Sequence, residues 1–394
     1  MPPSTHSHFG ASSAYRWVSC PASVALCAKA PKQKSSSFAN EGTAAHELAE
    51  KSITSKRMPD KFIGEYITVG DDAFEITQEM ADFVSVYVRE ILKVASKKNN
   101  NNLCDSVRIE TKFNLDWIGK TGMWGTCDAS LADTANRTLH VFDLKYGEFT
   151  PVVAENNWQL MYYALGILGL EGVDKFDTVR LVIVQPRNAD TGVTDWEIST
   201  NELLDWMTQT LIPAVDEAYK KDAKFCPSEK ACKWCAGRPI CPALKNAITD
   251  IVPVVKESND PVFPDPAMLT DEQIGKVLLV LPLVKPFFDS VAEYALDRAL
   301  KGDVLSGFKL VKGRRGIRSW SDEKAVTEAF SYLGETLYEK KILSPAKLEK
   351  IVSKEMVAPF TTQPEAKLSL VPESDKREAV AVESTSILED LLNH

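Results

Sequence analysis

At 394 residues, 44% of them apolar, the chain can bury a sizeable core and is long enough for one large domain plus a smaller one. No run of about eighteen apolar residues occurs, which excludes a helical membrane span, and the polar opening MPPSTHSHFG has no apolar signal core, so a cytoplasmic protein is expected. A net charge of −9 argues against a surface coated in basic charge, though not against a local basic groove.

Eight cysteines occur, at 20, 27, 104, 127, 226, 232, 235 and 241. In a long intracellular chain these are buried thiols or metal ligands rather than disulfides. In chain order, Ser12 is placed to cap a short helix carrying Ala14, Trp17 and Val18. Cys20-Pro21 ends it, since the residue before proline disfavours helix. Residues 31–40 read as a polar loop. A helix then begins near Glu41-Gly42 and carries His46 beside Glu47 and Glu50. Ile76, Met80, Phe83, Val84, Tyr87, Ile91 and Val94 recur at three- and four-residue steps, which predicts an amphipathic scaffold helix ended by Asn99–Asn102. Val107–Phe113 alternates as a first strand. Its Glu110 is either an extra metal-shell carboxylate or, the favoured reading, a solvent-facing strand residue.

Thr126–Asp133 and Thr138–Lys145 read as two strands, with Thr134–Arg137 as a polar four-residue hairpin loop. Counting outward from that loop sets Asp133 opposite Thr138, Ser130 opposite Val141 and Asp128 opposite Asp143. Directly opposed residues have Cβ atoms ~5 Å apart. Two carboxylates side by side repel, and a divalent cation between them removes the objection. Lys145, two residues after Asp143, projects from the same face.

Ala154–Leu170 predicts a helix on which Gln159 and Tyr163 lie one turn apart. Thr178–Gln185 is a near-continuous apolar run, hence a central strand buried on both faces. Arg187 at its end meets phosphate or is a plain surface charge. Ser199 and Glu202 form a capping-box pattern opening a helix to about Tyr219, kinked at Pro213. Cys232, Cys235 and Cys241 then form C-x2-C-x5-C. Such spacing points to metal ligation, by zinc or by an iron–sulfur cluster, with Cys226 close enough to be a fourth thiolate.

Val252–Pro266 reads as a linker. Thr270 and Gln273 cap a long apolar helix interrupted at Pro282 and Pro286. Phe308–Trp320 is a basic strand–turn–strand whose Lys312, Arg314, Arg315 and Arg318 form a phosphate-contacting patch or a solvated turn. Helices are expected near Asp322–Tyr332 and from Ser344-Pro345, and the last thirty or so residues read as mobile.

Taken together, Gly42-x-x-x-His46, Asp128, Asp143-x-Lys145, Gln159-x-x-x-Tyr163, Cys20-Pro21 and the C-x2-C-x5-C-Pro run resemble, in that order, the RecB-like iron–sulfur branch of the PD-(D/E)XK nuclease superfamily. The resemblance covers residues 10–245, and the region after 250 resembles the C-terminal part of phage- and prophage-encoded relatives. It implies an α/β (α+β) fold with a mixed central sheet flanked by helices, and a helical C-terminal region. The implied organisation is a nuclease domain at 10–245, a linker at 246–268, a mostly helical region at 269–360 and a mobile tail at 361–394.

The resemblance further implies a Mg²⁺- or Mn²⁺-dependent DNA exonuclease in phage recombination, replication or repair, acting in the cytoplasm of a bacterial host. Its metal ligands would be His46, Asp128, Asp143 and the backbone carbonyl of Leu144. Lys145, Gln159 and Tyr163 would complete the catalytic set. A [4Fe–4S] cluster would be held by Cys20, Cys232, Cys235 and Cys241, with Cys226 or Cys27 as rivals to Cys20 and zinc as the alternative metal. Arg16, Arg187, Lys312, Arg314 and Arg315 are candidate DNA contacts, and a single-strand-annealing protein is a candidate partner. The competing readings are a non-catalytic DNA-binding or recombination protein that keeps the fold, and a zinc-stapled structural protein.

Overall fold

The computed structural model describes residues 8–30, 37–98, 107–188, 190–251, 270–308 and 353–358. The chain divides into two compact units, Met1–Asp303 and Val304–His394. The first is built on a five-stranded mixed sheet of β3 (Val107–Asn114), β4 (Trp124–Asp133), β5 (Thr138–Leu144), β6 (Thr178–Gln185) and β7 (Gly192–Ser199), paired in that order. All neighbours are antiparallel except β5 and β6. The parallel pair needs a crossover, and α5 (Trp158–Glu171) supplies it. This is the mixed α/β architecture expected; β6 is buried on both faces as expected, but β5 is the middle strand and β6 lies between it and the edge strand β7.

Each sheet face has its own core. Leu139, Val141, Leu181 and Ile183 face α5, together with α1 (Ala14–Ser19), α6 (Thr200–Trp206) and α7 (Ile212–Ala218). Phe142, Leu144, Val182 and Val184 face α3 (Ser37–Ser55) and α4 (Gln78–Lys98). Helix α5 is buried all round from Leu160 to Leu168, as suits a helix enclosed by protein. The side chain of Asn157 caps it by accepting from the Gln159 and Leu160 amides.

Helix α5 approaches β3 closely at Gly166, where an added Cβ would lie 2.1 Å from Phe113 Cδ2. The Phe113 ring is itself packed against Tyr162 and Tyr163 and cannot swing aside. Gly166→Ala is therefore expected to destabilise by about 3 kcal/mol, the upper end of ordinary overpacking. An unchanged urea midpoint would show that the helix can back away from the sheet.

Several boundaries differ from the sequence reading. Helix α3 starts at Ser37, so residues 37–40 are helical rather than loop. Ser12 lies inside a 3₁₀ turn, Ala11–Ser13, and makes no cap. A hairpin of β1 (Tyr66–Val69) and β2 (Asp72–Glu75), turning at Gly70 with φ +62°, was not anticipated. The helix opened by the Ser199–Glu202 capping box passes through a π turn, Met207–Leu211, before Pro213.

Helix α10 (Asp271–Leu300) keeps the Thr270–Gln273 capping box but runs unbroken through both prolines. Pro282 and Pro286 are one turn apart. The carbonyls they leave without an amide, those of Leu278 and Pro282, belong to exposed residues that water can serve. Helix α10 falls within the first compact unit, so the expected boundary at 246–268 is not where the units divide. Most of that linker, the basic stretch from residue 309, the helices expected near 322–332 and 344, and the tail lie outside the described residues. Among the described residues no helix is long and apolar enough to cross a membrane.

Candidate metal site and cysteine cluster

The β4–β5 turn is held by Asp133, whose carboxylate accepts from the Asn136 amide at 3.2 Å and from its Nδ2 at 2.8 Å. The register is the one counted from the loop: Asp133 opposite Thr138, Ser130 opposite Val141, then Ala129 opposite Phe142. One step further the regular pairing stops, so Asp128 and Asp143, which the loop count sets opposite each other, are not a ladder pair. The Leu144 amide donates instead to Asp128 Oδ2, at 3.1 Å. On the other side of β4, Glu110 has φ +45° and is skipped between the Ile109–Ala129 and Thr111–Cys127 pairs. Cys127 packs in the α5-side core and Ala129 in the α3/α4-side core, so β4 turns over at Asp128. The strands part there, and the gap is lined with acid.

His46, on α3, brings Nδ1 to 3.3 Å from Asp128 Oδ2 and 3.9 Å from Glu110 Oε1. One ligand atom from each of His46, Glu110 and Asp128 lies within 4.8 Å of the others. The solvent-facing reading of Glu110 is thereby corrected, because the positive φ turns this residue into the gap instead of outward along the pleat. Asp143 stands behind the group. Its Oδ1 accepts from Gln159 Nε2 at 2.9 Å, and its Oδ2 lies 2.7 Å from Lys145 Nζ. Lys145 Nζ donates to Gln159 Oε1 at 2.8 Å, and Gln159 Nε2 also donates to the Tyr163 hydroxyl at 2.9 Å. The Asp-x-Lys strand and the Gln-x-x-x-Tyr helix thus form one hydrogen-bonded network.

Burial, and then the charge of Asp143, push Asp128 up to about 6, against the pull of His46 and Lys145. Burial, and then Asp128, push Glu110 up to about 7. Tyr87 of α4 is wholly buried, and burial followed by the Asp128 charge drives it well above its ordinary range. Carboxylates so placed repel one another. Carboxylate oxygens with one imidazole are a donor set that fits Mg²⁺ or Mn²⁺.

A carboxyl whose pKa is higher folded than unfolded favours the folded chain while protonated. Asp128's contribution is full below its ordinary value near 4 and is lost as pH rises through about 6. A two-unit shift is worth about 3 kcal/mol. Metal-free wild type should therefore lose stability relative to Asp128→Asn between pH 4 and 7, and Mn²⁺ should reverse the loss in wild type only. A gap between the two melting temperatures that stays constant with pH would mean that folding leaves the pKa of this carboxyl unchanged.

Cys20, at the end of α1, lines one cavity with Cys232, Cys235 and Cys241. These come from α8 (Glu229–Cys232), the turn after it, and the residue before α9 (Pro242–Ile251). The Cys226 amide donates to Cys20 Sγ at 3.3 Å while its own side chain is exposed. Cys27, on α2 (Ser23–Lys29), brings its sulfur to 3.6 Å from Cys235 Sγ. Arg16 Nη1 donates to Cys27 Sγ at 2.9 Å and to Ser23, which fixes Arg16 among the cysteine-bearing helices. Arg187 lies 3.4 Å from Glu41 and stacks on Tyr146, so it too has protein partners. Lys312, Arg314, Arg315 and Cys104 lie outside the described residues.

Two further residues went unrecognised in the sequence. Tyr87 read as scaffold, and Gln185 as the end of an apolar run. Gln185 is buried, and its amide bonds the segment after β5.

A solved structure titled "Crystal structure of SSO0001" is similar over 50% of this chain and 82% of its own, at 14% identity and a TM-score of 0.23, a likeness too slight to build on. The family described as "Protein of unknown function (DUF2800)" matches residues 6–378, nearly the whole length, and the chain belongs to that family.

Proposed function

We propose that the protein is a Mg²⁺- or Mn²⁺-dependent deoxyribonuclease that shortens DNA from its ends. The observation that carries this reading is the network joining Asp143, Lys145, Gln159 and Tyr163 directly behind the His46–Glu110–Asp128 group. His46, Glu110, Asp128 and Asp143 would hold the cation, which when bound polarises the scissile phosphate and lowers the pKa of an attacking water. Lys145 keeps its ammonium at the edge of the group, where it can orient that water or meet charge developing on the phosphate. Gln159 fixes Lys145 and Asp143 relative to each other, and Tyr163 fixes Gln159. A purely structural sheet has no use for acidic residues gathered with a lysine in one gap.

The cysteines support a second metal centre that is structural, a [4Fe–4S] cluster on Cys20, Cys232, Cys235 and Cys241. Cys20, Cys232, Cys235 and Cys241 line one cavity, and four thiolates are the ligand number such a cluster needs.

The test is single-turnover digestion of an end-labelled duplex and its separate strands by anaerobically prepared protein with Mg²⁺ or Mn²⁺. Progressive shortening that EDTA abolishes is expected. No cleavage of any DNA by fully metallated wild type would leave the non-catalytic DNA-binding reading in its place.

A further inference from the structure

A strip of rings and lysines runs from the cysteine segment to the start of α5. The segment after β5 carries Lys145 and then turns at residues 147–152. Gln185 Nε2 donates to the carbonyls of Gly147 and Thr150, both at 2.8 Å, and Gln185 Oε1 accepts from the Val152 amide at 2.9 Å. Asn188 Nδ2 holds the Glu148 carbonyl at 2.6 Å. The turn is pinned from beneath, yet it presents Phe149 with 86% of its surface open.

Lys233 Nζ reaches Thr150 Oγ1 at 3.5 Å and stands over the Trp234 ring, 5.5 Å from its centre. Trp234 is 79% exposed and sits between Cys232 and Cys235. Further along, Lys230 Nζ lies 3.8 Å above the Tyr15 ring, which stacks at 4.7 Å on Trp158, the residue before Gln159. Glu148 of the turn has Arg187 as counter-ion at 4.0 Å.

We infer that this strip is a binding track for single-stranded nucleic acid, in which Trp234 and Phe149 stack on bases and Lys233 and Lys230 meet phosphates on the way to Lys145. The inference rests on the nuclease reading and adds to it the form of the substrate. Exposed rings alone would suit any apolar partner. Rings interleaved with ammonium groups suit a chain whose faces are flat and whose backbone is anionic. A duplex keeps its bases stacked inside, so the track admits a separated strand or a frayed end.

The test measures binding of a fluorescein-labelled oligo-dT and of a blunt hairpin duplex in Ca²⁺, with iron content checked for every protein. Trp234→Ala should weaken oligo-dT binding by about tenfold, the usual scale for one lost base stack, and leave duplex binding near wild type. Trp234→Phe should restore most of the affinity, and Phe149→Ala should weaken oligo-dT binding independently. Wild-type binding of oligo-dT with Trp234→Ala and Phe149→Ala unchanged would overturn the track and leave the nuclease reading standing. Failure of wild type to bind either DNA would overturn both.

Discussion

Lys145→Ala is expected to cut single-turnover cleavage by at least ~100-fold while leaving Mn²⁺ affinity and DNA affinity in Ca²⁺ near wild type. An ammonium cannot ligate a cation while it is protonated. Its useful partners are the phosphate oxygens and the nucleophilic water, whose charge develops only in the transition state, and losing one such contact usually costs that much. Lys145 lies against Asp143 Oδ2 and Gln159 Oε1, so its ammonium is held by protein groups at the site. Asp143→Ala should remove cation binding and cleavage together. Arginine is the poorer probe, because it keeps the charge and changes its geometry. If Lys145→Ala cleaves as fast as wild type, Lys145 has no part in the chemistry.

Cys20→Ser should abolish the cluster. Anaerobic wild type should be brown, with broad absorption near ~400 nm and about four irons per chain. The variant should be colourless and melt well below it. Cys226→Ser should keep the iron, since the Cys226 side chain is exposed and only its amide meets Cys20. Cys27→Ser separates the remaining alternatives. Its sulfur lies 3.6 Å from Cys235, and loss of iron in this variant with retention in Cys20→Ser would exchange their roles. Stoichiometric zinc without iron in wild type would replace the cluster by the zinc reading.

The hairpin register was legible from Asp133–Thr138 as far as Ala129–Phe142, because a four-residue loop leaves little freedom in how its strands pair, but the break before Asp128 and Asp143 was not. The Gln159–Tyr163 spacing was legible as one turn of helix, but not its connection to Lys145, which depends on how α5 crosses the sheet. Glu110 was misread because alternation assumes a regular pleat, and nothing in Ile109-Glu110-Thr111 announces a backbone at φ +45°. The β1–β2 hairpin did leave a signal, Ile-Thr-Val followed by Gly-Asp, which the neighbouring long helices obscured. Continuity of α10 through two prolines was hidden for another reason: local propensity says break, and the exposure of the affected carbonyls is a tertiary fact. Cys27 lacked the proline that marked Cys20, and only the packing of α2 against the cysteine segment brings it near.

The meeting of Cys20 with Cys232, Cys235 and Cys241 has a topological consequence. The whole five-stranded sheet is strung between these points, so any covalent or metal link there closes a loop of roughly two hundred residues. By the chain-entropy argument that closure removes about 5 kcal/mol of freedom from the unfolded ensemble, comparable to the net stability of a marginally stable domain. Contacts so distant in sequence also form late, after the strands between them have paired. A link at this place would act as a clasp that shuts only on an already folded sheet and then slows its opening.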